Sequence, residues 1–470
     1  MARASRGGGW TTWLAAFVTL AALFGASAFI YPQEYHGILG LCRKQSQVKL
    51  STERFASTKN VQEEVVDVCV VGAGIGGAAA AGELHRRGLN VLLLEQAGNT
   101  RKEGSAIGLW TQAWRALDYL EVGSSLRGKY NEGTKLQLLT DEGNRIGGFP
   151  INECDFAPHE FRYVMRSDLV DRLLSRIPRS KILYDSKVSG IKTGGSNDKI
   201  IELEDGRKIS AKVIVGADGI NSSVRSIIKP SDSRPNFAGY KAFRGITKSK
   251  SSAIFDQIKD DTIYQVWGRG IRMGVSRMSP GTIYWFITYN AGEALTDQER
   301  DPIMRKELAK SLVAGWAWGG GVGEALVEAT APADMVVGAM RDRLPELGPW
   351  GEGAITLIGD AAHPMTPNLA QGGAAALEDA VELASALGAL GGPGLADPAR
   401  AAAALRGFES KRVKRLAKLN LKSLAFGAAL QLPFPPVTFV RNNIAVPGLL
   451  KVGFLPKNFL DHTDWYPPEK

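Results

Sequence analysis

The sequence predicts an α/β fold in which a parallel-sheet domain is interrupted by an antiparallel-sheet lobe, resumes, and is closed by a C-terminal helical tail. Three observations predict it. The run "VVDVCVVGAGIGGAAAAGELHRRGLNVLLLE" (Val65–Glu95) reads strand, glycine turn, helix, strand. Residues 240–289 alternate apolar and polar side chains, as antiparallel strands do. The run "ITLIG" (Ile355–Gly359) then returns to a buried strand before an Ala-rich helix.

In chain order, Val66–Val71 is a near-continuous apolar run, as expected of a strand covered on both faces. A helix to Arg87, a terminal Gly88 and a second strand, Val91–Leu94, follow. "LQLLTDEGNRIGGF" (Leu136–Phe149) predicts a hairpin turning at Asp141–Asn144. "RSDLVDRLLSRI" (Arg166–Ile177) predicts an amphipathic helix with Ser167 as its N-cap. "KIIELEDGRKISAKVIVGADG" predicts a hairpin across Asp205-Gly206 and a buried strand, Val213–Val215. "YKAFRGIT", "IYQVWG", "RMGVSRM" and "TIYWFITY" supply the antiparallel strands. A helix over Ala374–Leu390 follows the Ile355–Gly359 strand. A basic helix, Arg406–Leu430, opens the tail; it can touch a membrane, or pack its Leu and Ala face on the first domain with the charges solvated. The implied division is a leader (1–62), three parts of the parallel-sheet domain (63–134, 163–232, 341–404), two parts of the second lobe (135–162, 233–340) and a tail (405–470).

At 470 residues, with 44% hydrophobic and 22% charged, the chain can bury a sizeable core. The net charge of +9 does not mark a nucleic-acid binder: residues 1–62, with seven Lys/Arg against two Asp/Glu, hold +5 of it, and no nucleic-acid module is present. Cys42, Cys69 and Cys154 are too scattered for a disulfide framework, and neither they nor the five histidines have metal-ligand spacing, so no metal is expected. From Trp10 to Tyr31 there is no charge, and Arg3 and Arg6 precede it. That length, 22 residues, covers the ~20 that cross a bilayer as a helix, and the layout is also that of a signal peptide. Three readings stay open: a retained anchor associating the protein with a membrane, a cleaved secretory signal, and a two-part plastid address, for which "ASAF" (26–29) resembles a cleavage signature.

Three motifs carry chemistry. Gly72-x-Gly74-x-x-Gly77 follows a strand, opens a helix and is followed by Glu95 at the end of the next strand, the context a Rossmann-like dinucleotide fingerprint requires. The glycines let backbone approach a pyrophosphate at the helix N-terminus. "GADGINSSVR" (Gly216–Arg225) places Asp218 and Gly219 at a strand end, where α/β sheets bind ligands; Asp218 can equally be a turn or N-cap residue. "GDAAHPMTPNLAQGG" (Gly359–Gly373) places Asp360 at a strand end and Gly372-Gly373 at a helix start, with Pro364 and Pro367 stiffening the loop. His363 invites an acid/base role, or is a loop histidine bonded to backbone.

In that order the motifs resemble those of the group A FAD-dependent monooxygenases, the para-hydroxybenzoate hydroxylase fold shared by salicylate hydroxylase and zeaxanthin epoxidase. A plant branch also has "FRG" (Phe243–Gly245), "YWFIT" (Tyr284–Thr288), "HPMTPNL" (His363–Leu369) and a tail like Val440–Leu450. The resemblance implies that Gly72, Gly74 and Gly77 hold the FAD pyrophosphate and Glu95 the adenosine ribose. It implies that Arg166 reaches FAD, that Asp218 and Gly219 serve FAD and NAD(P)H, and that Asp360 binds the ribitol. Pro367 and the turn Gln371–Gly373 would lie against the isoalloxazine. It further implies NAD(P)H as reductant, O₂ as co-substrate and a flavin C4a-hydroperoxide that hydroxylates or epoxidises a small aromatic or polyene substrate. One departure is Ala370, where many members have glycine; a position needing positive φ would strain it.

The substrate would lie between flavin and antiparallel sheet, with Tyr240, Arg244, Trp267, Arg269 and Trp285 as candidates, because aromatic walls and a cation suit an aromatic acid. Arg244 is the one candidate for a catalytic role. Two other function classes remain: a flavoprotein oxidase or halogenase on the same fold, and a non-enzymatic dinucleotide-binding protein. "WAWGGG" (Trp316–Gly321) lacks the Ile-Pro of the halogenase signature, and a mere binding fold would lack the segment around Asp360.

Overall fold

The computed structural model describes residues 65–469 except 100–104, 195–197, 233, 249–253, 255 and 461. The hydrophobic segment 10–31 lies outside the described residues.

Strand Val65–Val71 sits mid-sheet with Val66, Val68, Cys69 and Val70 fully buried. It pairs in parallel with Val91–Leu94 on one side and Lys208–Gly216 on the other. Strand Ile182–Leu183 adds parallel beyond Val91–Leu94, and Ile355–Leu357 adds parallel to Lys208–Gly216. The first part of Lys208–Gly216 instead pairs antiparallel with Lys199–Leu203, across the expected turn at Gly206 (φ 88°). Apolar runs thus form the covered interior strands, and polar alternation appears only at the edge.

The glycine-turn helix Ile75–Arg86 has an unbroken run of glycine and alanine from Gly76 to Gly82, and it packs on helix Gly372–Gly388. An added Cβ at Gly76 would lie 3.3 Å from the Ala376 Cβ, so small side chains on both helices let them close.

The second sheet has the order 335–342, 236–248, 282–290, 271–279, 262–267, 135–140, 145–150. All neighbours are antiparallel except 262–267 with 135–140. One face buries Phe243, Trp285 and Ile287 with helix residues Ala309, Leu326 and Val327. Its buried charge pair, Lys241 with Glu299 at 2.7 Å, is completed by the Tyr289 hydroxyl and the Thr296 backbone N–H. The other face turns toward the parallel-sheet domain.

Several boundaries differ from expectation: the helix expected over Ala374–Leu390 runs Gly372–Gly388, and that expected to end at Ile177 ends at Leu174. Helix Arg166–Leu174 begins two residues earlier than a Ser167 cap requires: Met165 is at the N-cap and no side chain caps the turn. The tail helix runs from Pro398 to Gln431, starting eight residues before Arg406, because Asp397 accepts from the Ala399 and Arg400 N–H groups and Pro398 fits the first turn. It buries Leu405, Phe408, Leu416 and Leu419 against the parallel-sheet domain. Among the described residues no single helix is long and apolar enough to cross a membrane.

Candidate functional site

Leu94, Val71, Gly216 and Leu357 stand in one row across the parallel sheet. From that row the chain runs on into Glu95, Gly72, Asp218 and Asp360, which is why residues far apart in sequence emerge at one sheet edge. With Gly74, Arg166 and Gly219 they line a single cleft of about 450 Å³.

Gly72 has φ 102°, and a Cβ there would stand 2.6 Å from the Ala217 carbonyl oxygen, so only glycine fits. Gly74 is different. Its φ of −75° and ψ of −170° suit any residue, and a Cβ would meet only Arg166 Nη2, at 3.8 Å. Among the described residues no other atom comes within 4 Å of that position. Gly74 is the N-cap of the first helix, with no side chain bonding the first N–H groups, so the positive end of the helix dipole is open at the cleft. Gly77 does not line the cleft. A Cβ on it would lie 1.9 Å from the Gly72 carbonyl oxygen, so its role is to let helix pack on turn.

Glu95 accepts the Ala73 N–H and the Ala97 N–H, each at 2.9 Å, which braces the glycine turn and leaves lone pairs for a ligand hydroxyl. Asp218 accepts the Ser222 hydroxyl at 2.5 Å and the Ser223 N–H at 2.7 Å, so it shapes its own loop as well as lining the cleft. Burial raises its carboxyl pKa against those hydrogen bonds. Asp360 makes no hydrogen bond among the described residues and is accessible through the cleft. The protein mass around it raises its carboxyl pKa, opposed by the charges of His363 and Arg166. Exposed to the cleft, this carboxylate can accept from a ligand hydroxyl.

Pro367, Gly372 and Gly373 lie beyond Asp360, outside that cleft's lining. Ala370 takes the left-handed conformation, φ 52° and ψ 41°. The helix of Gly372 has Gln371 at its N-cap, with no side-chain cap on the first N–H groups. The Gln371 side chain is engaged elsewhere, by Gln112 and by His462 Nε2 at 2.5 Å. His363 bonds a carboxylate rather than backbone: its Nε2 lies 2.5 Å from Asp379, which also accepts Arg412 at 2.7 Å and the Gly359 N–H at 2.9 Å. His363 thus anchors the loop, and no geometry places it at the cleft.

On the antiparallel sheet, the substrate candidates divide by face. Arg244 pairs with Phe286 and Trp267 with Arg272, and directly opposed residues share a face. Tyr240, Arg244 and Trp267 therefore face the parallel-sheet domain. Trp285 does not: next to Phe286, it points to the opposite core, where Nε1 donates to Thr247 at 3.1 Å and Thr330 at 2.9 Å. Arg269 is exposed on the turn between strands. Trp267 is covered by the Arg441 guanidinium, 5.3 Å from its ring.

The sequence reading missed Arg272 and Asn368. Arg272 is 4% exposed, forms no ion pair among the described residues, and donates to Asn368 Oδ1 at 3.0 Å. Its Nε has no partner, and burial lowers its pKa. Asn368 Nδ2 in turn donates to the Tyr240 hydroxyl at 3.1 Å. Phe286 and Tyr284 complete the wall; the Arg272 guanidinium lies 5.5 Å from the Phe286 ring, and burial pushes the Tyr284 phenol up to about 12. Counting strand parity outward from Arg244 would have found Phe286 and rejected Trp285.

A family model described as FAD binding domain matches residues 65–400. Monooxygenase 1 of Arabidopsis thaliana is 30% identical over 380 residues, spanning 78% of this chain and 91% of its own. Aurachin C monooxygenase/isomerase of Stigmatella aurantiaca is 30% identical over 351 residues, spanning 74% and 85%. The solved structure of Klebsiella pneumoniae HpxO complexed with FAD and uric acid aligns with a TM-score of 0.71 at 22% identity, covering 85% of this chain and all of that one, and shows a shared fold. The motifs, the architecture and the relatives converge, and the chain belongs to the FAD-dependent monooxygenases.

Proposed function

We propose that this enzyme uses NAD(P)H and O₂ to hydroxylate or epoxidise a small aromatic or polyene substrate. The observation that carries the reading is the convergence of Gly72, Asp218 and Asp360 on one cleft. The residues fit FAD on their own chemistry: a backbone cradle with no room for a Cβ at Gly72, an uncapped helix start at Gly74, and a carboxylate exposed to the cleft at Asp360. Gly72, Gly74 and the helix N-terminus would take the pyrophosphate, Glu95 a ribose, Arg166, Asp218 and Gly219 the central part, and Asp360 the ribitol end. Gly77 supports them by packing. Pro367, Gly372 and Gly373 would border the flavin ring.

Bound FAD, reduced by NAD(P)H, supplies the oxygen chemistry. The chain's residues bind, orient and exclude water. Arg272 and Arg244 offer two cations without carboxylate partners among the described residues, within walls of Tyr240, Tyr284 and Phe286. That pairing favours a flat ring bearing an ionised or strongly polar oxygen, and the uric acid named in the HpxO complex is compatible with it. Segments 135–162 and 233–340 would form the substrate lobe, and 63–134, 163–232 and 341–404 the FAD domain. The leader would direct the chain to a membrane, a plastid or the secretory route, on its apolar run and "ASAF" alone; expression of residues 1–62 fused to a fluorescent protein distinguishes these.

The test is NAD(P)H oxidation by purified enzyme with aromatic acids, quinolones, quinones and carotenoids. A monooxygenase shows substrate-stimulated turnover with oxygenated product. H₂O₂ released in proportion to NAD(P)H, whatever compound is supplied, would assign an oxidase instead.

A further inference from the structure

We infer that the outward face of the C-terminal tail docks on an anionic lipid surface. After helix Pro398–Gln431 the chain turns by 113° into a helical run, Pro435–Lys451. A surface helix normally turns its polar side to water. Here the buried side holds Thr438 and Arg441, and Arg441 donates to the Leu430 carbonyl at 3.1 Å. The solvent side holds Phe439, 62% exposed, and Ile444, 60% exposed, flanked by exposed Phe434 and Val452. An apolar face of this kind marks an interaction surface.

Charge selects the occupant. From Lys411 to Leu460 the sequence has nine Lys/Arg and no Asp or Glu. Lys411, Lys414, Lys418, Lys451 and Lys457 are exposed. Phenylalanine, isoleucine and valine bordered by Lys451 and Lys457, with no acid from Lys411 to Leu460, match the interface between acyl chains and anionic headgroups. The two helices do not span: Pro398–Gln431 buries Leu405, Phe408, Leu416 and Leu419 in the protein core, so the tail lies on the surface.

The same segment closes the aromatic face described above. Gln431 accepts the Thr288 hydroxyl at 3.1 Å, and Arg441 covers Trp267. Docking would therefore hold that face against the lipid. Docking stands without the proposed chemistry, whereas transfer of a lipid-dissolved substrate to that face rests on it.

The test uses the full chain as Cys42→Ser, Ile444→Cys, labelled at residue 444 with a solvatochromic dye; Cys69 and Cys154 are buried thiols. Phosphatidylcholine vesicles containing about one third phosphatidylglycerol should blue-shift the dye, with roughly tenfold weaker binding to pure phosphatidylcholine. Adding Phe439→Ser and Val452→Ser should abolish the shift while FAD content is unchanged. The inference is overturned if the dye stays in a water-like environment although the chain pellets with vesicles, since attachment then runs through another segment. It is equally overturned if the dye shifts without vesicles as protein concentration rises, since a second copy then occupies the face.

Discussion

Arg272 donates a hydrogen bond to Asn368 at 3.0 Å, and this bond joins the antiparallel sheet to the loop running from Asp360 to Gly373. It leaves a buried guanidinium with an unbonded Nε and no ion-pair partner among the described residues. Such a group costs stability unless a ligand completes it. Arg272→Met should leave melting within about 1 kcal/mol of wild type or raise it. It should lower kcat/KM for an acidic aromatic substrate by about tenfold or more, the loss of a charge-assisted hydrogen bond. A lower melting temperature with unchanged kcat/KM would make the residue structural.

Gly74 and Gly77 separate ligand space from packing space. Gly74→Ala adopts an allowed backbone and its Cβ comes no closer than 3.8 Å to Arg166 Nη2, so the FAD-free melting point should hold while FAD affinity falls at least about tenfold. Gly77→Ala drives a Cβ into the Gly72 carbonyl and should cost about 3 kcal/mol or more before FAD is added. Chemical denaturation with and without FAD reads both.

Ala370 is held left-handed at φ 52°, a conformation costing an L-residue about 1–2 kcal/mol. Ala370→Gly relieves this and adds unfolded-chain entropy of about 0.4–1 kcal/mol. The net expectation is a gain of about 0.5 kcal/mol by denaturation.

Asp379 is fully buried, which alone would raise its carboxyl pKa; the charges of His363 and Arg412, with hydrogen bonds from His363 and Gly359, outweigh this and hold it at about 2. Because the folded pKa lies below the unfolded value near 4, the group stabilises above pH ~4 and that stability is lost as pH falls toward ~2. Asp379→Asn should cost about 1–3 kcal/mol at neutral pH by weakening a charge-assisted bond to Arg412, which keeps Glu378 at 2.7 Å. It should also flatten stability between pH ~4 and ~2, measured by denaturant melts across that range.

The half of the candidate site proposed for FAD was legible in the sequence because it rests on local chemistry. Strand, glycine turn and helix occupy consecutive residues, and Glu95, Asp218 and Asp360 each follow a buried apolar strand that ends in one aligned row. The substrate half depends on side-chain parity and on contacts far apart in sequence. Arg272 and Asn368 are 96 residues apart, and only the folded sheet brings them together. Trp285 looked like a site residue because it is aromatic, yet its parity sends it to the opposite core. Asn368 also requires Gly427, whose Cβ would lie 2.2 Å from the Asn368 amide nitrogen, a constraint with no local signal.

Titration of the FAD-stripped chain with FAD, followed by flavin fluorescence, measures whether the three strand-end segments act on one cofactor. The wild type should bind one FAD per chain, and Asp360→Ala, which removes an exposed carboxylate with no hydrogen-bond partner among the described residues, should weaken binding at least about tenfold without lowering the melting point. A wild type that binds no FAD, or an Asp360→Ala chain that binds it equally well, would contradict the convergence of Gly72, Asp218 and Asp360 on a single flavin nucleotide.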